Sequence, residues 1–221
     1  ASANGIRLIT LGSFDVLAGG KSVLTSAKLQ RAPIALAVHL VAAGSSGMAT
    51  ETLGDRLWPE ADEATARKRM KSTVYRLRQL LGGSDTVLTQ GGRIAINPDI
   101  VTVDVWEVQA LASAPTPGWA PEARYLEGMR LYAGPFVHHH ADDTTLVAFG
   151  QKVELAIVDI CTSFARSLTL SGDWQRALRV AREGLDRIGY HEKLFDIATE
   201  AAEFLGRQSE LDALSDMLTQ D

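Results

Sequence analysis

Between Ala66 and Leu81 the chain reads ARKRMKSTVYRLRQLL, a run with six cations, Arg67, Lys68, Arg69, Lys71, Arg76 and Arg78, and no carboxylate. The chemistry open to such a run is electrostatic, because guanidinium and ammonium groups neutralise phosphates. At about 100° per residue, Ala66, Met70, Val74, Leu77 and Leu81 fall in one narrow sector, the apolar stripe of a helix that faces a core. Lys68, Lys71, Ser72, Tyr75 and Gln79 fall opposite it, with Arg67 and Arg78 on one flank and Arg69 and Arg76 on the other. A solvated helix face has the same composition, so the neighbouring segments decide between the two readings.

Other chemistry is sparse. His138, His139 and His140 precede Asp142 and Asp143, but consecutive positions do not converge on one metal ion. A solvated loop is the preferred reading, with adventitious metal pickup second. The single cysteine, Cys161, excludes an intramolecular disulfide and any multi-cysteine metal site. It lies in an apolar helical pattern and reads as packing. The phosphate-cradling glycine loops, the H-E-x-x-H helix and the cysteine-nucleophile motifs are all missing from the sequence. No catalytic residue, metal site or cofactor is assigned, and the chain reads as a non-enzyme.

The elements that must position the basic run follow from local pattern. Ile6 to Leu17 alternates around Gly12-Ser13 and predicts short antiparallel strands. Gly19-Gly20 turns the chain toward Val23-Leu24. A helix follows, with Ser26 as its candidate N-cap, Lys28 near its start, Pro33 early and the apolar set Ile34 to Val41, ending at Gly44. Thr50, Glu51 and Thr52 open a shorter helix through Leu53, Leu57 and Trp58, which Pro59 stops. Glu60, Asp62 and Glu63 then lie where acids complement the N-terminus of the basic helix, and Gly82-Gly83 closes it. Thr86 to Thr89 and Arg93 to Ile96 flank Gln90-Gly91-Gly92 and predict a β-hairpin. Arg93 at its tip reads equally as an exposed turn residue or as a phosphate or minor-groove contact.

Strands, helix, helix, basic helix and hairpin in that order make a winged helix-turn-helix. Residues 6–98 resemble the OmpR-type DNA-binding domain as it occurs in SARP-type bacterial transcriptional activators. The resemblance is carried by Ile9 to Val16, Leu57-Trp58-Pro59-Glu60-Ala61, Ala66-Arg67, Tyr75 to Gly82 and the closing VTVDV of Val101 to Val105. Trp58 reads as core packing. Residues 99–221 resemble the bacterial transcriptional activator domain that follows in the same family. A short helix over Val105 to Leu111 leads to a proline-rich loop, Ala114 to Gly118, and from Thr145 the pattern is helical. Turns at Ser171-Gly172-Asp173-Trp174 and Leu205-Gly206-Arg207-Gln208 stand 34 residues apart, the tetratricopeptide period. Ala165, Ala177, Ala181, Ala198 and Ala202 are the small residues such a repeat packs. Tyr132-Ala133-Gly134-Pro135-Phe136 matches the family's aromatic turn, whereas the histidines after it depart from the tryptophan or glutamates common there. The expected fold is mainly α with small β-sheets, a winged helix-turn-helix domain followed by an all-α TPR-like domain. Residues 1–5, which open without Met, read as a linker or cloning remnant, a reading that leaves an upstream domain open.

Charge agrees with that division. Residues 1–98 hold 12 Lys and Arg against 7 Asp and Glu, a net of +5, while residues 99–221 hold 10 against 20, a net of −10. The expected partner is double-stranded DNA, with the helix over residues 66–81 in the major groove and the hairpin over 86–96 as wing. Lys68, Lys71, Ser72 and Tyr75 are the base-edge candidates, and Arg67, Arg69, Arg76, Arg78 and Arg93 the phosphate or minor-groove candidates. The acidic rear half is expected to point away from the duplex and to serve signal transduction through dimerisation, a small-molecule effector or RNA polymerase. The polymerase contact and binding as a head-to-tail homodimer on direct repeats are implied by the resemblance. Two rival readings are a protein-interaction module whose winged helix does not bind DNA, and a metabolite sensor. No apolar run reaches the roughly 18 residues of a membrane span, no signal peptide opens the chain, and a cytoplasmic protein is expected.

Overall fold

The computed structural model describes residues 5–24, 31–113, 120–137 and 143–219. In chain order the described elements are β1 (Ile6–Ile9), β2 (Asp15–Ala18), β3 (Lys21–Ser22), α1 (Arg31–Ala43), β4 (Met48–Ala49), α2 (Thr50–Leu57), α3 (Glu63–Leu80), β5 (Val87–Gln90), β6 (Arg93–Ile96), β7 (Val101–Val103), α4 (Asp104–Ser113), α5 (Pro121–Leu131), α6 (Thr144–Leu170), α7 (Trp174–Ile188), α8 (Glu192–Phe204) and α9 (Gln208–Met217). Ser26 and Lys28, the proline-rich loop and His138 to Asp142 lie outside the described residues. No helix among the described residues is long and apolar enough to cross a membrane. The chain divides into two compact units, Ala1–Glu107 with Phe136–Gly150, and Val108–Pro135 with Gln151–Asp221.

The first unit holds two small sheets and a three-helix core. One sheet has the order β3-β2-β1-β7, antiparallel except for the parallel pair β1 and β7, in which Leu8 stands opposite Val103. The other has the order β4-β6-β5 and contains the hairpin, with Gln90 paired to Arg93 around the Gly91-Gly92 turn. Nine of the thirteen residues of α1 are buried, and α2 and α3 pack against it. This is the winged helix-turn-helix order the sequence predicts.

The unit is wider than residues 6–98. A single carboxylate explains part of that extension. Asp104 is fully buried and accepts hydrogen bonds from the Thr10 amide at 2.8 Å, the Thr10 hydroxyl at 2.7 Å, the Leu11 amide at 2.9 Å and the Val105 amide at 2.8 Å. A buried carboxylate is tolerated only with such a complement of donors, and these tie the end of β1 to the start of α4. The Val137 amide bonds the Thr10 carbonyl at 2.8 Å, and Phe136 bridges to Leu11 and meets Phe149 edge-on with ring centroids 4.8 Å apart.

Asp143, read with the histidines as a loop carboxylate, has two structural contacts. Its Oδ1 accepts from the Thr145 and Leu146 amides at the start of α6, and its Oδ2 lies 2.9 Å from Nε2 of buried His39, whose Nδ1 lies 2.8 Å from the Ala35 carbonyl. Burial pushes the Asp143 carboxyl up, but these amides and His39 outweigh it and hold it below the usual carboxylate range.

The second unit is helical. Ala165, Ala177, Ala181, Ala198 and Ala202 are all fully buried, which lets the helix backbones approach. The turns between α6 and α7 and between α8 and α9 fall at Gly172 and Gly206, as expected. Arg187 Nη1 donates to the Met129 carbonyl at 3.1 Å and the Tyr132 carbonyl at 3.0 Å, satisfying carbonyls at the end of α5. The Tyr125 hydroxyl donates to Glu183. Cys161 is fully buried beside Met129, and burial pushes its thiol up to about 12, with the Glu183 charge adding to the rise. It is packing, as read.

Gly47 marks a tight backbone approach in the first unit. It has φ of +63°, and a Cβ there would stand 2.1 Å from the Ile94 carbonyl oxygen. Gly47→Ala is expected to cost more than about 3 kcal/mol. Gly20→Ala, at φ of +78° with nothing within 4 Å, should cost only about 1 kcal/mol. Urea unfolding of the two variants checks the difference, and equal costs would contradict the packing described.

Candidate nucleic-acid interface

Helix α3 begins three residues before the apolar period does. Asp62 caps it, accepting from the Thr65 amide at 2.8 Å and the Thr65 hydroxyl at 2.9 Å, and these bonds hold the Asp62 carboxyl below its ordinary range. The helix therefore includes one carboxylate, Glu63, which pairs with Arg67 at 2.6 Å. Both partners are exposed, so the pair adds little stability, but it occupies one of the six cations.

Met70, Thr73, Val74 and Leu77 are buried, as is Leu81 just after the helix. Ala66 is half-buried. Thr73 was not in the predicted stripe. Its hydroxyl turns back to the Arg69 carbonyl at 2.9 Å, which lets a polar residue fill a core position. On the far side Lys68, Arg69, Lys71, Ser72, Tyr75, Arg76 and Gln79 are all exposed, Tyr75 at 64%. Lys68, Arg69, Lys71 and Arg76 have no ion-pair or side-chain hydrogen-bond partner among the described residues. The exposed Ser72 hydroxyl donates to the Arg69 carbonyl at 3.0 Å.

The remaining two arginines are engaged. Arg78 donates from Nε at 3.0 Å and Nη2 at 2.6 Å to the Val87 carbonyl, and from Nη2 at 3.2 Å to the Thr89 hydroxyl. Arg93 donates from Nε at 3.1 Å to the Ser46 carbonyl and from Nη2 at 2.6 Å to the Gly47 carbonyl. The turn of the hairpin is held as well, because the Thr50 amide and hydroxyl both donate to the Gly92 carbonyl, at 2.8 and 2.9 Å. Between α2, α3 and the hairpin lies an open groove of about 1100 Å³, floored by Met70, Val74 and Ile94. Its α3 wall carries Arg67 and Lys71, and its α2 wall carries Glu51 and Asp55.

No protein-family model and no curated protein matches the sequence. Among solved structures, Mycobacterium tuberculosis EmbR in complex with low affinity phosphopeptide is similar to this chain with a TM-score of 0.69 at 19% identity. The likeness covers 99% of this chain and 60% of that one. At that identity it shows the fold: a winged helix unit with small sheets and a helical unit, shared across nearly the whole chain.

The two faces of α3 should separate in stability measurements. Leu77→Ala removes a fully buried side chain and is expected to cost about 2–5 kcal/mol. Tyr75→Ala should stay within about 0.5 kcal/mol. A large loss at Tyr75 in thermal unfolding would show that the exposed face is held by the fold and is not free for a ligand.

Proposed function

We infer that this chain is a sequence-specific double-stranded DNA-binding regulator of transcription, of the activator type. One observation carries the reading: a helix whose apolar side is sealed in a winged helix core turns outward, beside a hairpin, a serine, a tyrosine and four cations that pair with no described residue. The sequence resemblance to SARP-type activators supports it. In this reading α3 enters a major groove, which admits a helix and displays a distinct donor and acceptor pattern for each base pair. Lys68, Lys71, Ser72 and Tyr75 reach base edges, Arg67, Arg69 and Arg76 reach phosphates, and the hairpin lies toward the adjacent minor groove. The helical unit, with its 34-residue spacing of turns, is of the tetratricopeptide kind and regulates through dimerisation, a small-molecule effector or contact with RNA polymerase.

A salt-titrated binding assay on duplex from the chain's own promoter region, against scrambled duplex, tests the reading. Three phosphate contacts, from Arg67, Arg69 and Arg76, predict a slope of log K against log[salt] of roughly −3, and six would give roughly −5. Promoter duplex should be preferred. Charge reversal at Lys68 and Lys71 together should lower affinity on the order of a hundredfold, since it removes two contacts and adds repulsion. A slope near zero, or full binding by the reversed variant, would contradict it.

A further inference from the structure

The arginines of the basic surface do not all do the same work. Arg78 and Arg93 differ from Lys68, Arg69, Lys71 and Arg76 in one respect: their Nε and Nη2 donors are spent on backbone carbonyls. The carbonyls belong to different elements. Arg78, on α3, grips Val87 and Thr89 of β5, the first strand of the hairpin. Arg93, the first residue of β6, grips Ser46 and Gly47, in the turn that follows α1. The Gly92 carbonyl at the hairpin turn receives the start of α2. Both strands and the turn are thereby tethered, each to a different helix or its flanking turn. Arg78 thus joins the hairpin directly to α3, while Arg93 and the Gly92 carbonyl join it to the segment that runs from the end of α1 to the start of α2.

We propose that Arg78 and Arg93 are positioning residues that hold the hairpin at a fixed distance from α3, so that both reach the duplex in register without rearrangement. The proposal rests on the DNA-binding reading and reassigns these two arginines within it, away from phosphate contact. Preorganisation raises affinity by removing the ordering cost of a mobile hairpin. A guanidinium is suited to the task, because its planar fork donates two parallel bonds from one rigid edge. Lysine keeps the charge but is a point donor, and it cannot replace an edge that bridges the Ser46 and Gly47 carbonyls.

That difference separates positioning from phosphate contact. Arg78→Lys, Arg93→Lys, Arg78→Met and Arg93→Met are compared in the full chain by two readouts, salt-titrated DNA binding and amide hydrogen exchange of residues 87–96. A phosphate contact would be lost in the Met variants, with the salt slope shallower by about 1, and restored in the Lys variants. Positioning predicts that Lys and Met variants behave alike: affinity falls about tenfold, the slope is unchanged, and hairpin exchange quickens about tenfold while α1 and the helical unit keep their protection. Lys variants that bind as the wild type does, or hairpin exchange unchanged in all four, would overturn the proposal. If the wild-type chain itself shows no salt-dependent binding, the DNA reading fails, and the exchange measurement alone then decides whether the arginines hold the hairpin.

Discussion

The burial of one side of α3 is the constraint on which the rest of the first unit depends. Met70, Val74, Leu77 and Leu81 are sealed against the core, each contributing about 1.5–3 kcal/mol relative to exposure. Helical geometry then leaves the cations no position but outward. Like-charged neighbours such as Arg67 and Lys71, one helical turn apart, cost only about 0.2–0.5 kcal/mol per pair. Packing therefore wins over repulsion, and a concentrated positive face is held in place by the hydrophobic core beneath it. Such a face is stable only because burial on the other side is worth several times more. It is open to a polyanion because no described residue forms an ion pair with Lys68, Arg69, Lys71 or Arg76.

Polar contacts fix what the core cannot. Asp104 gathers four donors at the corner where β1, the start of α4 and residues 10 and 11 meet, and Arg78 and Arg93 clamp the hairpin through backbone carbonyls. These are few bonds at positions where the chain changes direction. Each is directional, which dispersion contacts are not, so they specify orientation where apolar packing specifies only proximity.

Much of this was legible in the sequence, and the parts that were not share a physical reason. The basic helix, the helix before it and the hairpin were readable because period, proline stops and glycine turns are local signals. The start of α3 was not placed correctly, because its apolar period begins at Ala66 whereas the helix begins where Asp62 can cap it. Thr73 was missed because a hydroxyl bonded back to its own helix is invisible to an apolar count. The reach of the first unit to Glu107 and its recovery of Phe136–Gly150 depend on the parallel pairing of β1 with β7 and on Phe136 meeting Leu11. Partners some 100 residues apart leave no periodic trace. The cations themselves were all named from the sequence, but a guanidinium bonded to a carbonyl has no sequence signature, so Arg78 and Arg93 looked the same as Arg76.

The central claim is that the outward face of α3 is where a duplex is met, and lysine reactivity reads it directly. The chain has six lysines, at 21, 28, 68, 71, 152 and 193. Lys68 and Lys71 lie on the α3 face, and Lys152 and Lys193 are exposed on α6 and α8. Acetylation of the chain with and without saturating promoter duplex, read by mass spectrometry, should show Lys68 and Lys71 protected by DNA and Lys152 and Lys193 reacting as before. Protection of Lys152 and Lys193 with Lys68 and Lys71 left reactive would place the duplex on another surface and contradict the account.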